Sequence, residues 1–196
     1  MGINAKKVFI GLADQSSTTG ALARGNVITT IPTTLEAAQT AISAFTTSGY
    51  ISEDGASLST SISTTDIREW NRSAVRRLLE EFDGTVSCTL IQLDGESAKQ
   101  CFGADNVDVT AATSTKGEQL HIKLGAHLDK PQAWALRIKD GDMKMIVLVP
   151  NGQVTSGVDI TFAANEAINL PIEISANDDG TGESIHIYTE DGVTSA

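Results

Sequence analysis

Cysteine is nearly absent. Cys88 and Cys101 are the only two in 196 residues, which leaves room for one disulfide at most, and a chain folded in the cytoplasm, as expected here, normally keeps its thiols reduced. Aromatics make up only 5% of the chain. No apolar run approaches the roughly 20 residues of a membrane-spanning helix, and stretches such as Met145 to Pro150 fall far short. The last 46 residues contain eight acids and not one Lys or Arg. With a net charge of −11, the chain does not grip nucleic acid by counterion release, which needs cations against phosphate. The charge suits solubility, or a surface that repels a polyanion.

The usual chemical motifs are missing as well. There is no HExxH, CxxC, GxSxG or P-loop. His121 and His127, six residues apart on one expected strand, would lie about 20 Å from each other, and His186 alternates with Ile185 and Ile187 as a solvated strand residue would. Gly180-Thr181-Gly182-Glu183-Ser184 imitates a phosphate cradle, yet acids flank it and no Lys follows. Asn177 to Gly180 resembles a calcium loop whose twelfth position falls on His186 instead of a bidentate Glu. Glu80 and Glu81 adjoin, and neighbouring strand residues point to opposite faces. No enzyme, cofactor or metal is expected. Cys88, between Val86 and Leu90, and Cys101, in a short helical stretch, read as small buried hydrophobes. Lys6-Lys7 before six apolar residues mimics a signal peptide but is too short, and Lys6 spoils a myristoylation start at Gly2. Synthesis and folding in the cytoplasm, with no membrane partner, are expected.

What is abundant is Thr and Ser, 39 residues in all, suited to solvated strand faces. Asp54-Gly55, Asp83-Gly84, Asp140-Gly141 and Asn151-Gly152 interrupt strand-like segments, and Asx-Gly is the favoured hairpin turn. Trp134, Leu136 and Ile138, then Met143, Met145, Val147 and Val149, predict an antiparallel meander with turns at Asp140-Gly141 and Asn151-Gly152. Period-two patterns predict further strands through Leu120 to Leu128, Val158 to Phe162 and Ile168 to Ile174, with Pro171 marking an edge or bulge. Thr33-Thr34-Leu35-Glu36 reads as a capping box opening a helix through Ile42 and Phe45, and Asp94 caps a second that ends at Gly103. The fold class is mainly β: a single-domain sandwich or barrel over residues 1–196 with one or two flanking helices.

Residues 49–93 ask for a partner. Leu58, Thr60 and Ile62 alternate with Ser57, Ser59, Ser61 and Ser63, a pattern too weakly apolar to define a core. Ile67 and Trp70 then stand among Arg68, Glu69 and Arg72, the makeup of an interface hot spot, unless both tuck back onto the domain. From Val75 to Phe82, like residues sit side by side, so both strand faces carry charge and apolar bulk. Such a strand suits a place between subunits.

The stretch Gly49-Tyr50-Ile51-Ser52-Glu53-Asp54-Gly55, with Thr65-Asp66-Ile67, Trp70 and the continuation Val86 to Leu93 into the helix ending at Phe102-Gly103, resembles the major tail tube protein of long-tailed, non-contractile (siphovirus-type) bacteriophages. The likeness covers roughly residues 45–175. It implies a tail-tube β-sandwich whose inner sheets join in a homo-hexameric ring as one continuous β-barrel, with rings stacked into a hollow conduit for DNA ejection. It implies virion localisation, and tape measure, tail terminator and baseplate proteins as partners, with double-stranded DNA passing through unbound. A hairpin or stacking loop at 56–80 would reach the neighbouring ring through Ile67, Arg68, Trp70 and Arg72, and residues 1–32 would form an N-terminal strand or arm. Glu80, Glu81, Asp159 and Glu173 are the candidates for an acidic lumen. Two other readings compete: a monomeric sugar- or protein-binding β-sandwich with the Ile67–Trp70 loop as its binding surface, and a secretion-system tube protein forming discrete rings.

Overall fold

A computed structural model describes residues 8–14, 20–125, 128–155, 157–165 and 167–193. The order is β1 (Leu22–Gly25), α1 (Leu35–Ala41), β2 (Thr46–Thr47), β3 (Ile51–Arg68), β4 (Ala74–Leu90), α2 (Gly95–Phe102), a 3-10 turn (Ala104–Asn106), β5 (Val107–Thr110), β6 (Gln119–Ile122), β7 (Gln132–Asp140), β8 (Met143–Val154), β9 (Leu170–Ala176) and β10 (His186–Glu190). The chain is mainly β and its strand pairings are antiparallel.

One sheet runs β2-β1-β7-β8-β9-β4-β3, with β10 paired to the first half of β8; β5 and β6 form a separate ribbon. Laid flat, the six steps from β2 to β3 would span about 29 Å at ~4.8 Å each. Only residues 48–50 join those two strands, a reach of about 14 Å at ~3.6 Å per residue. The sheet is therefore rolled until its ends nearly meet. Val86, Cys88, Leu90, Trp134, Leu136, Val147, Val149, Ile172 and Ile174 fill its inside. α1 covers the other face over Ala133, Ala135, Ile146 and Leu148 through Leu35, Ala38 and Ile42.

Both helices form where expected. Asp94 caps α2, its carboxylate accepting from the Glu96 and Ser97 amides while Ser97 Oγ accepts from the Asp94 amide, and Gly103 ends it at φ 90°. At α1 the cap is Thr34, which accepts from the Ala37 amide, one residue later than the Thr33–Glu36 box would require.

Of the four Asx-Gly dipeptides, Asp140-Gly141 alone turns a hairpin, with Asp140 opposite Met143. Asn151-Gly152 lies within β8, Gly152 pairing with Gln132 and Ala176. Asp83-Gly84 lies within β4. These two glycines serve close packing. A Cβ on Gly84 would come 2.6 Å from Ile185 Cδ1, and one on Gly152 would come 2.8 Å from Val149 Cγ1. Asp54-Gly55 belongs to an irregularity in β3, where Ile51 pairs with Leu90 and Ala56 with Cys88. Residues 52–55 face a single partner there, and Gly55 takes φ 75°.

Three strand expectations fail in part. β6 stops at Ile122, and Leu124 and Leu128 are exposed; Ala126 and His127 lie outside the described residues. No strand forms over 157–163: Val158 and Ile160 pack loosely on the core and Phe162 is 78% exposed. β10 is inverted, with Ile187 outward and His186 half-buried, because His186 Nε2 meets Asp179 Oδ2 at 2.8 Å. Pro171 fits as expected, sitting where β9 has only β4 beside it, since β8 pairs only with Ile174 to Ala176. Of the N-terminal segment, residues 1–7 (with Lys6 and Lys7) and 15–19 lie outside the described set, and Ala13 bridges to Ile138.

Candidate functional site

The outstanding feature is an arm. β4 pairs with β9 only from Gly84 to Leu90. Beyond that, β3 and β4 continue together as a two-stranded hairpin from Ser61 and Asp83 out to Arg68 and Ala74. At ~3.4 Å per residue, β4 runs about 31 Å from Asp83 to Ala74. Every β4 residue from Ala74 to Asp83 is exposed. An isolated two-stranded ribbon is marginal in water, so this arm is an element in want of a surface.

Its two faces differ. Partners directly opposite share a face, so Leu58, Thr60 and Ile62 lie with Val86, Gly84 and Phe82, and Thr64 lies with Leu79. This face prolongs the barrel core outward, leaving Ile62 64% and Leu79 67% exposed. The other face carries Ser57, Ser59, Ser61, Ser63, Thr65, Thr85 and Ser87, with Asp83 opposite Ser61, Leu78 opposite Thr65 and, nearest the tip, Arg76 opposite Ile67; Ser57 and Ser87 share a 2.8 Å hydrogen bond. A bulge interrupts the ladder between Ser63–Glu81 and Thr64–Leu79. Glu80 is the extra residue, and its carboxylate accepts from Ser63 Oγ at 3.4 Å and from Thr65 Oγ1. The bulge puts Glu80 and Glu81 together on the hydroxyl face, contrary to simple alternation.

At the tip, the Arg72 amide donates to the Glu69 carbonyl at 2.8 Å, and Arg72 has φ 66°. Trp70 is 100% exposed; it does not tuck back onto the domain. Ile67 is 44% exposed. Asp66 holds Arg77 at 2.9 Å and Arg68 at 3.3 Å, and its carboxylate raises the pKa of Arg77 through that hydrogen bond. Arg72 and Arg76 have no ion pair among the described residues. The four residues Ile67, Arg68, Trp70 and Arg72 are thus gathered at one exposed point.

Asp159 and Glu173 are placed elsewhere, with Asp54, around a groove of about 490 Å³ on the barrel, at the ends of β3 and β4 away from the tip. Ala56, Ser57, Ser87, Thr89, Gly157 and Pro171 supply more of its lining, and no Lys or Arg borders it. Sequence reasoning passed over Asp54, which the β3 irregularity lifts onto the groove wall. It also passed over Arg76, whose neighbourhood of exposed charge was the available signal.

Elsewhere the chemistry is structural. Burial pushes the thiols of Cys88 and Cys101 up to about 12, the second also through the first. Arg24, buried, donates to the Lys99 carbonyl and lies 3.6 Å from Asp129. The carboxyl of Asp179 is held down to about 2, first by Thr181 Oγ1 at 2.6 Å and then by His186. Among the described residues, no group of three His, Cys, Asp or Glu side chains is placed to hold a metal, and no helix is long and apolar enough to cross a membrane.

A rolled antiparallel sheet bearing an arm with no core of its own is the plan of an assembly subunit, in which function lies in surfaces and not in a reaction centre. The chain belongs to the phage tail tube protein family, whose model matches residues 1–196. It is a structural component of the virion tail and not an enzyme. Among solved structures, a chain from the virion of a native gene transfer agent particle is similar over 74% of this chain and 88% of that one, with 13% identity and a TM-score of 0.39. Nothing among curated proteins matches.

Proposed function

We propose that this chain forms homo-hexameric rings that stack into a hollow tail tube through which double-stranded DNA leaves without specific binding. The observation that carries the proposal is the arm: a hairpin projecting from the barrel with apolar side chains and unpaired strand edges in solvent. Isolated, such edges invite association; closure between copies removes them. The apolar face with Leu58, Ile62, Leu79 and Phe82 would be covered by a neighbouring copy, and the tip with Ile67, Arg68, Trp70 and Arg72 would contact the adjacent ring.

The hydroxyl face, with Glu80 and Glu81, is the surface we assign to the lumen. DNA carries one charge per about 1.7 Å of axis, so a wall made mostly of hydroxyls and carboxylates, with its one cation, Arg76, next to the tip, lets it slide where a row of lysines would hold it. Tape measure, terminator and baseplate proteins would meet the tube at its ends and within its bore. Negative-stain microscopy of the purified chain at rising concentration tests the proposal. Rings or tubes with a central pore are expected. A strictly monomeric species at high concentration across several salts, with saturable binding of a glycan or host protein, would overturn it in favour of a monomeric binding module.

A further inference from the structure

The arm and the acidic groove lie at opposite ends of the same strands. The arm leaves the barrel at Gly84, opposite Ala176 of β9. The groove opens at the other end of that pairing, around Thr89, Pro171 and Asp54. Two copies related by a translation along β4 therefore bring the tip of one to the groove of the next.

The chemistry of the two ends is complementary. In an acidic protein, four of the six arginines (Arg68, Arg72, Arg76 and Arg77) are on the outer part of the arm. Asp66 engages two of them, while Arg72 and Arg76 have no ion pair among the described residues. Trp70 beside them is wholly exposed. The groove offers three carboxylates, Asp54, Asp159 and Glu173, and none of them is in an ion pair among the described residues. Between them lie Ala56, Gly157 and Pro171, apolar contacts of the kind an aromatic anchor fills.

We propose that the arm tip of one copy seats in the Asp54–Asp159–Glu173 groove of the copy above it, Trp70 entering between the carboxylates and Arg72 pairing with them. This inference rests on the tube reading and names the receptor for the arm. The contact is heterologous, with tip and groove on different surfaces, so it propagates along an axis instead of closing a dimer. The groove adjoins Ser57 and Ser87 on the hydroxyl face, so the seated tip covers Asp159 and Glu173 there and leaves Glu80 and Glu81 as the open acids of that face. The contact also makes stacking sensitive to salt, because both charged sets are solvated until they meet.

Charge reversal tests it on the full-length chain. Arg72→Glu and Glu173→Lys are each expected to raise the critical concentration for tube formation at least tenfold at low salt, with unchanged circular dichroism. The double variant Arg72→Glu/Glu173→Lys is expected to recover most of that loss. Tubes that form equally well in both single variants, or a double variant no better than the worse single one, would overturn the groove as receptor while leaving the tube intact. A wild-type chain that forms no multimer at any concentration would overturn both readings.

Discussion

Replacing Gly152 by Ala tests whether this position is a packed strand residue or a turn. Gly152 lies within β8, paired on both sides, to Gln132 and to Ala176. A Cβ added there would stand 2.8 Å from Val149 Cγ1, 2.9 Å from Ile174 Cγ2 and 3.0 Å from Trp134 Cδ1. The favourable carbon–carbon separation is about 3.5–4.0 Å. All three neighbours are buried core side chains, so none has open solvent to move into. Overpacking of this kind costs about 1–3 kcal/mol. Removing a glycine from the unfolded chain returns about 0.4–1 kcal/mol. The net expectation is a loss of about 1–2 kcal/mol. For a chain of this size, that lowers Tm by about 2–8 °C. Thermal circular dichroism of the dispersed subunit measures it. An unchanged or raised Tm would refute the packing argument and restore the turn that the Asn-Gly dipeptide suggests.

Trp70→Ala is expected to leave the melting curve of the subunit unchanged, since its side chain buries nothing there, while impairing stacking in sedimentation; a loss of subunit stability would contradict the exposed tip. The folded pKa of Asp179, near 2, lies below the ordinary carboxyl value of about 3.9. Its contribution to stability is therefore present at neutral pH and disappears as pH falls from about 4 to 2. Asp179→Asn should flatten the stability profile in that window, as read by urea unfolding at stepped pH; an identical slope would refute the bonding assigned to Thr181 and His186. Cys88 and Cys101, buried with thiols pushed up to about 12, should resist Ellman's reagent at pH 8 in the folded subunit and react fully in denaturant.

Much of this was legible from local pattern. Asp94 to Gly103 carries both ends of its helix in sequence, and Asp140-Gly141 joins two strands that alternate apolar with charged residues next to the turn, Leu136 to Lys139 and Met143 to Met145. The arm was legible for a different reason: a strand alternating Ser with Leu and Ile has no core of its own to define, and the chain indeed leaves the core there. Misreadings came where one residue serves two physical purposes. Gly152 and Gly84 look like turn glycines, but each makes room for side chains that the fold brings against it, Trp134 and Ile174 at Gly152 and Ile185 at Gly84, a requirement set by tertiary contacts. Similarly, Ile187 carries the apolar signal in β10, yet the Asp179–His186 contact turns the strand over. The groove was hidden because Asp54, Asp159 and Glu173 are far apart in sequence, and the irregularity in β3 that raises Asp54 has no signature beyond a dipeptide that reads as a turn.

Amide hydrogen exchange, followed in the dispersed subunit and again in the assembled state, puts the incompleteness of the arm to the most direct trial. Residues 84–90, held between two strands, should already exchange slowly in the single copy, whereas 61–83 should exchange quickly there and slow by about 100-fold or more on assembly. Arm amides as slow in the lone subunit as in the assembly, or as fast in the assembly as in the lone subunit, would contradict the account.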